Sequence, residues 1–273
     1  MTNKNLPYLH GYNTEEQSRL KRQAEFAEHT VYRNIDLSEV SHLLEVGCGV
    51  GAQSAIILRR FPQLQLTGID LNSKQLEEAQ SYLTTVPYAQ GRYTIQEMNA
   101  ENMSFKAHHF DGAFLCWILE HVKDPARILN EVRRVVRPGG VVYITEVMNS
   151  SFFLDPYSPN MWKYWMAFND YQIEGAGDPF IGAKLGNLLI SVGFHRVQTE
   201  VITWHLDNRH PEKRRQMIAY WSELLQSASQ QLVDSKYTTQ DIADAAFKEL
   251  AEVERNPNAV FMYSFMQAKA TVT

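Results

Sequence analysis

A glycine-rich turn between a predicted strand and a predicted helix is the clearest chemical feature of the sequence. Gly47, Gly49 and Gly51 follow the apolar run that ends at Val46. Glycines are needed where the chain turns sharply and where a ligand approaches the backbone with no Cβ in the way. Beside parallel strands, ligands bind outside the carboxyl ends, at such turns. The turn is therefore predicted to hold a ligand against its backbone.

Two carboxylates near this turn indicate what the ligand is. Asp70 ends the next predicted strand, about 20 residues after the turn, where its carboxylate can accept two hydrogen bonds from a ribose diol. An adenosine ligand is thus implied. Glu45 lies inside the first strand end, where it would repel a pyrophosphate but suits a ligand with a free amino group and a sulfonium charge. The pattern Gly47-x-Gly49-x-x-Ala52 also satisfies the dinucleotide fingerprint, so these residues alone leave a nicotinamide cofactor open.

Short apolar runs that alternate with helical segments must position this turn. The runs are apolar on both faces, which is typical of parallel strands covered by helices on both sides. The spacing of Thr14 and Gln17 predicts a helix start ahead of the first strand, and a long helical stretch is predicted over 212–254. Strands are predicted at 43–46, 65–69, 93–98, 110–115, 141–147, 196–204 and 260–272, and the other helices at 52–61, 73–82, 125–136 and 185–192.

Composition and charge exclude several classes of protein. The 273 residues, 44% hydrophobic and 21% charged, can bury a core without disulfide or metal staples. The net charge of −5 counts against a nucleic-acid partner. No apolar run is long enough for a membrane span. Cys48 and Cys116 form no paired framework, so a reducing, cytoplasmic location is expected. No His or Cys cluster has metal-ligand spacing.

Six segments in order extend the pattern beyond the turn. They are 45–51 (EVGCGVG), 68–70 (GID), 99–101 (NAE), 110–113 (FDGA), 119–122 (LEHV) and 129–140 (LNEVRRVVRPGG). Together they resemble the class I S-adenosylmethionine-dependent methyltransferases (EC 2.1.1), in the small-molecule group like those of ubiquinone and menaquinone biosynthesis. The resemblance covers about residues 36–147 well. It implies S-adenosylmethionine as cofactor and S-adenosylhomocysteine as product.

The resemblance also implies the architecture. We expect an α/β fold with a Rossmann-like sheet of seven mostly parallel strands and helices on both faces. Residues 1–35 are expected to form an N-terminal lid helix and residues 36–148 the cofactor-binding core. Residues 149–273 are expected to complete the same domain on the acceptor side, with helical insertions after strand 5 and between strands 6 and 7.

Residues of the six segments receive roles from the same resemblance. The glycine turn of 47, 49 and 51 would hold the methionine part of the cofactor, with Glu45 near its amino group, and Asp70 would bind the ribose hydroxyls. Leu71 would pack on the adenine, whose edge is capped by Asn99 and Ala100 in place of the family's usual acidic residue. Toward the sulfonium, the implied cofactor contacts are Cys116, Trp117 and His121.

The flanking parts are expected to bind the acceptor. The first helix resembles a lid that closes over the site, with Gln23 on the cofactor and with Tyr8 and Tyr12 on the acceptor. The dense aromatics after the fifth strand are typical of a pocket for a small, partly apolar or aromatic molecule. The predicted acceptor wall consists of Tyr157, Trp162, Trp165 and Tyr171.

No residue stands out as a general base. His205, His210, Asp155 and Glu174 are isolated candidates, so an amine, thiol or activated carbon is favoured over an unactivated hydroxyl as the methylated atom. The predicted function is methyl transfer by in-line displacement to a small molecule, with the catalytic residues unassigned. An RNA or protein methyltransferase and an NAD-dependent oxidoreductase remain the alternatives.

Overall fold

The computed structural model describes residues 10–273, in which eight strands form one sheet with helices on both faces; Tyr8 lies outside the described residues. The strands are β1 (His42–Val46), β2 (Gln65–Asp70), β3 (Tyr93–Glu97), β4 (Phe110–Cys116), β5 (Val136–Val147), β6 (Phe153–Asp155), β7 (His195–Leu206) and β8 (Val260–Thr271). The helices are α1 (Thr14–Val31), α2 (Ala52–Arg60), α3 (Ser73–Thr84), α4 (Pro125–Val135), α5 (Pro159–Glu174), α6 (Ile181–Val192), α7 (Pro211–Asp234) and α8 (Gln240–Arg255). Short 3₁₀ turns lie at Pro87–Ala89, Leu119–His121 and Asn149–Ser151.

The strand order is β3-β2-β1-β4-β5-β8, and β6 and β7 both pair with β8. The first five strands are mutually parallel, whereas β8 is antiparallel to β5, β6 and β7. The expected Rossmann-like, mostly parallel sheet is confirmed. The expected count of seven is one too low among the described residues, because three-residue β6 is too short to show a periodicity. An antiparallel strand beside β5 also differs from the parallel dinucleotide-binding sheet, which argues against the nicotinamide alternative.

Apolar side chains cover both faces of the sheet. Successive residues of a strand point to opposite faces: Leu43 and Phe114 join one apolar cluster, and Leu44 and Leu115 join the other. The first cluster includes residues of α1, α2, α5, α7 and α8, and the second includes residues of α4 and α6. Because both faces are covered, a ligand reaches the sheet at the carboxyl ends of its strands.

Helix boundaries differ from the predictions at two places. Asn13, not Thr14, caps α1, because its Oδ1 accepts the backbone N–H of Glu16 at 2.8 Å. The helical stretch predicted over 212–254 is two helices, since α7 ends at Asp234 and Thr239 caps α8 through the backbone N–H of Ile242. The two helices pack against each other, and α7 also packs on α1, α5 and β8.

Candidate active site

Each glycine of the turn after β1 has its own physical reason. Gly47 and Gly51 have φ values of 72° and 74°, in the left-handed region that favours glycine. A Cβ on Gly47 would lie 2.4 Å from Cδ1 of Ile118, so glycine lets the turn pass under the loop after β4. A Cβ on Gly51 would lie only 3.2 Å from the Cβ of Ala79 on α3. Gly49 has open space where its Cβ would be, which leaves room for a ligand against the backbone.

Asp70 ties the carboxyl end of β2 to this turn. Its Oδ2 accepts the backbone N–H of Gly49, and its Oδ1 accepts that of Asn72, both at 2.9 Å. Each carboxylate oxygen can accept a second hydrogen bond, and Asp70 lines the cavity above the turn. Asp70 is therefore placed to shape the turn and to bind a diol at the same time.

A buried carboxylate accepts hydrogen bonds from the backbone of the loop after β4. Oε1 of Glu146, at the end of β5, accepts the backbone N–H groups of Ile118 and Leu119 at 3.0 and 2.6 Å. Burial and the nearby Glu120 carboxylate raise the pKa of Glu146. Trp117 at the start of the loop has a φ of 55°, a conformation that costs a non-glycine residue about 1–3 kcal/mol. Such strain is concentrated at functional sites, and Trp117 lines the cavity.

One cavity of about 480 Å³ lies over the carboxyl ends of the strands, between them and helices α1, α5 and α7. Its wall includes residues that the sequence analysis predicted to bind the cofactor or the acceptor, from distant parts of the chain. Leu71 is two-thirds exposed and offers an apolar side chain to a flat ring. Asn99 uses its Oδ1 to accept the backbone N–H of Glu101 within its own loop. The predicted residues on its wall are Tyr12, Gln23, Gly47, Gly49, Asp70, Leu71, Asn99, Ala100, Cys116, Trp117, His121 and Trp165.

One group of rings on the cavity wall, which we name the aromatic chamber, consists of Trp165, Phe168, Trp204, Tyr220, Trp221 and Tyr263. Its rings are in mutual contact. Trp165 stacks on Phe168 with centroids 5.4 Å apart, and Trp221 lies 4.6 Å from Tyr263. The rings of Trp117 and Trp204 both contact that of Phe265. The chamber is thus continuous with the loop after β4.

Buried polar groups fix the chamber wall. Trp165 donates its Nε1–H to the backbone carbonyl of Asn149 at 3.0 Å. The Asn149 side chain in turn accepts from the hydroxyl of Tyr263 at 2.8 Å and donates to Asn169 at 2.7 Å. Because buried polar networks of this kind specify side-chain positions, Trp165 and Tyr263 are held in place before a ligand arrives.

Helix α1 contributes a charged cluster to the same cavity. Arg19 donates from Nε and Nη2 to the Glu16 carboxylate at 2.7 and 2.6 Å, and from Nη1 to Gln23 and to the Tyr220 hydroxyl. His10 lies beside Phe168, and its Nδ1 is 2.7 Å from the hydroxyl of Ser227 on α7. These contacts join the start of the described chain to α7 across the mouth of the chamber.

Some predicted site residues do not reach the cavity wall. Tyr157 is 74% exposed. Trp162 packs on Phe152, and Tyr171 packs on Tyr237 and hydrogen-bonds Gln231. The predicted acceptor wall was therefore wrong in placing these three rings at the cavity. With 3.6 residues per turn, α5 can present only one face to the chamber, and this face carries Trp165 and Phe168.

Two residues assigned to the cofactor lie directly behind the wall. Gly51 packs against α3, as described above. Glu45 is 2% exposed, and its Oε2 accepts a hydrogen bond from the hydroxyl of Ser54 on α2. Burial raises the pKa of Glu45 to about 8; the Asp70 carboxylate adds to this effect and the Ser54 hydrogen bond opposes it. Glu45 therefore lies behind the glycine turn and does not line the cavity.

The isolated base candidates are outside the cavity wall. His205 lies 3.3 Å from Arg209, and Glu174 accepts a hydrogen bond from Tyr237. Four of the wall residues that the predictions missed, Tyr220, Trp221, Leu224 and Tyr263, come from α7 and β8, far along the chain. The aromatic spacing of Phe261, Tyr263 and Phe265 in β8 was a usable signal, because alternate residues of a strand share one face. The missed wall residues include His10, Arg19, Glu120, Asn149, Trp204, Tyr220, Trp221, Leu224 and Tyr263.

Residues 10–273 contain no group of three or more His, Cys, Asp or Glu side chains that could hold a metal ion. Within the same described range, no helix has the length and apolarity to cross a membrane.

Comparison with known proteins adds to this geometry. Residues 44–144, which run from β1 into β5, match the family model described as a methyltransferase domain. This stretch of the chain is similar to a methyltransferase domain. The resemblance inferred from the six sequence segments is thereby confirmed.

The similar curated proteins include methyltransferases with different names. The O-methyltransferase resE of Aspergillus sclerotiorum is 32% identical over 153 residues, which are 56% of this chain and 54% of the relative. The demethylmenaquinone methyltransferase of Symbiobacterium thermophilum is 27% identical over 165 residues, which are 58% of this chain and 61% of the relative. The chain spans about half the length of the first curated relatives that it matches.

Solved structures share the fold at lower sequence identity. Phosphoethanolamine N-methyltransferase 2 of Haemonchus contortus, in complex with S-adenosyl-L-methionine, has a TM-score of 0.57 and 17% identity, over 92% of this chain and 52% of that one. The [4+2]-cyclase SpnF has a TM-score of 0.55 and 22% identity, over 98% and 90% of the two chains. Because a cyclase shares the fold, the fold alone does not specify the reaction.

Proposed function

We propose that this protein transfers the methyl group of S-adenosylmethionine to a small apolar or aromatic acceptor held in the aromatic chamber. The observation that carries the proposal is the continuity of two compartments. Gly47, Gly49 and Asp70 line the same cavity as the aromatic chamber, whose rings come from α5, α7, β7 and β8. A cofactor and an acceptor bound in these compartments would meet at the loop after β4.

The residues of the first compartment fit S-adenosylmethionine. Asp70 retains acceptor capacity for the ribose hydroxyls, Leu71 offers an apolar surface to the adenine, and the open space beside Gly49 admits the methionine part. The bound cofactor supplies a methyl group on a positively charged sulfur, which is a good leaving group. The protein's task is then to align the acceptor and exclude water, which is where most of the rate enhancement of such a step arises.

The second compartment favours an acceptor without phosphate groups. Arg19, the cation of the chamber mouth, already has donors directed at Glu16, Gln23 and Tyr220. The deeper wall consists of rings, which bind planar apolar molecules and leave the polar tips of Tyr and Trp for orientation. The name of the demethylmenaquinone methyltransferase relative agrees with an acceptor of this class.

A cavity of this size also argues against a macromolecular acceptor. Helices α1 and α7 lie across the chamber and are joined by the Arg19–Tyr220 hydrogen bond at 2.8 Å. An RNA base or a protein side chain would have to enter between them, and the formal net charge of −5 gives no attraction for RNA. A free small molecule is the acceptor that this enclosure admits.

Calorimetry with S-adenosylhomocysteine tests the first compartment. Asp70→Ala removes hydrogen bonds to a charged group, which are worth about 1.5–3 kcal/mol each, so affinity should fall by about ten-fold or more. Asp241→Ala, on the exposed start of α8, is the matched control and should bind as the wild type does. Equal affinities for the wild type and Asp70→Ala would overturn the cofactor assignment.

The second compartment is tested with 1-naphthol added to protein saturated with S-adenosylhomocysteine. Trp165→Leu removes a ring from the chamber wall, whereas Trp162→Leu removes a ring of the same helix that packs on Phe152 and does not line the cavity. Naphthol affinity should fall in the first variant and stay near the wild-type value in the second. If both variants bind naphthol equally well, the aromatic chamber is not the acceptor site.

A further inference from the structure

We propose that His121, oriented by the Glu120 carboxylate, is the general base that removes the proton from a phenolic or enolic hydroxyl of the acceptor. This inference rests on the proposed function, and it names the acceptor class: a planar molecule with an ionisable hydroxyl on the ring or enol that is methylated. The sequence had favoured an amine, thiol or carbon acceptor because no base stood out.

The dyad stands on the 3₁₀ turn Leu119–His121, where the loop after β4 meets the aromatic chamber. Both side chains line the cavity, and Nε2 of His121 is 3.6 Å from Oε1 of Glu120. Hydrogen bonds of catalytic groups are often this long before a substrate binds. The carboxylate orients the imidazole so that Nε2 carries the hydrogen and Nδ1 the lone pair.

Glu120 is itself fixed on two sides by other elements. Nε2 of Gln172 on α5 donates to Oε2 of Glu120 at 2.7 Å. The backbone carbonyl of Glu120 accepts the N–H of Asp178 at 2.8 Å, in the segment between α5 and α6. With its side chain only 10% exposed, the carboxylate has little freedom to turn away from His121. Oε1 therefore stays directed toward the histidine.

The other ionisable groups around the chamber are poorer bases. Burial lowers the pKa of His10 well below its usual value, and the positive charges of Arg19 and His121 lower it further. Burial raises the pKa of the Cys116 thiol, and the Glu146 carboxylate adds to this, so the thiolate is disfavoured. Burial likewise raises the pKa of Tyr220 to about 12. These groups remain neutral at neutral pH.

Two buried acids lie near the loop, and they differ in exposure and in hydrogen bonding. Glu146 has no exposed surface, its pKa is raised by burial and by Glu120, and its Oε2 has no hydrogen-bond partner among the described residues. Glu120 is the more accessible of the two and receives the Gln172 amide. Burial and the Glu120 carboxylate thus favour the protonated form of Glu146, and Glu120 is the acid whose Oε1 faces His121.

The proposed step balances in atoms and charge. The hydroxyl proton passes to Nδ1 of His121, and an oxygen lone pair forms the new bond to the methyl carbon. The carbon–sulfur bond breaks with its electron pair going to sulfur, which leaves neutral S-adenosylhomocysteine and a methyl ether. The imidazolium is stabilised by Glu120 and returns its proton to solvent, to which the His121 side chain is 28% exposed.

A chromophoric phenol tests this base without any turnover. The probe is 4-nitrophenol, whose phenolate absorbs visible light, titrated into protein saturated with S-adenosylhomocysteine and followed from pH 5 to pH 9. An adjacent cation lowers the pKa of an acid by about one to three pH units. The bound probe should therefore ionise at a pH lower by this amount in the wild type than in His121→Gln. Glu120→Gln should give an intermediate value, and His205→Gln, outside the cavity, should match the wild type.

Each outcome decides between the proposals. Equal ionisation of the bound probe in the wild type and in His121→Gln refutes the base and leaves the proposed function standing. If the protein binds S-adenosylhomocysteine and 4-nitroanisole but not 4-nitrophenol, the hydroxyl acceptor class is refuted. If S-adenosylhomocysteine itself does not bind, the proposed function fails first. Thermal unfolding of every variant establishes that it is folded before its titration is compared.

Discussion

Replacing Glu45 with glutamine should make the ligand-free protein more stable, although it removes a buried hydrogen-bonded acid. Glu45 is 2% exposed, and its pKa is raised to about 8 from a usual 4.5, mainly by burial. The folded protein therefore holds a proton on Glu45 at neutral pH that the unfolded chain has released. Folding must take up this proton, and the free energy of unfolding falls as the pH rises from 4.5 toward 8.

The size of the effect follows from the interval between the two pKa values. Each pH unit inside the interval costs about 1.4 kcal/mol, so at pH 7 the cost is about 3 kcal/mol and at pH 5 it is below about 1 kcal/mol. Glutamine keeps the size and the carbonyl acceptor for Ser54 but takes up no proton. Glu45→Gln should thus gain up to about 3 kcal/mol at pH 7 and little at pH 5.

Urea unfolding at several pH values, without ligand, measures this gain. Asp111→Asn is the control with the opposite sign. Partial burial raises the pKa of Asp111, but hydrogen bonds from Arg137 and from the backbone of His42 and Ser41 outweigh it, so the pKa is lowered. The stabilisation by Asp111 is present above its unfolded pKa and lost as the pH falls, so its amide variant should be less stable at pH 7. A gain from Glu45→Gln that is equal at pH 5 and pH 7 would refute the linkage argument.

Two further outcomes are expected. Arg214 of α7 is fully buried and donates to the backbone carbonyls of Asn256, Pro257 and Ala259. Since hydrogen bonds to charged groups contribute about 1.5–3 kcal/mol each, Arg214→Met should lose about 3–5 kcal/mol in urea unfolding, and Arg215→Met, on the surface, less than about 0.5 kcal/mol. If α1 acts as a lid, S-adenosylhomocysteine should slow hydrogen exchange in residues 10–24, where Arg19 contacts Tyr220; unchanged exchange there contradicts a lid.

Local chain geometry explains why the first compartment was predictable from the sequence. A strand, a glycine turn and a helix follow one another within about a dozen residues, so Gly47, Gly49 and the end of β1 are neighbours whatever the rest of the chain does. Asp70 joins them because parallel strands with helical crossovers bring their carboxyl ends to one edge. The antiparallel partners of β8 and the short strand β6 were beyond this reasoning, because strand direction at a sheet edge depends on pairing between distant segments.

The second compartment was decided by tertiary structure alone. Aromatic density identified the region of α5, but its periodicity could not tell which face would meet the cavity, so Trp165 was separated from Trp162, Tyr157 and Tyr171 only by packing. The rings of Trp221 and Tyr263 come from α7 and β8. Glu120 accepts a hydrogen bond from Gln172, which lies fifty-two residues later in the sequence. Sequence alone brought together the residues of the first compartment because they are joined by short chain connections. The aromatic chamber required the packing of helices across the sheet, whose energy depends on many weak contacts between residues that no local pattern relates.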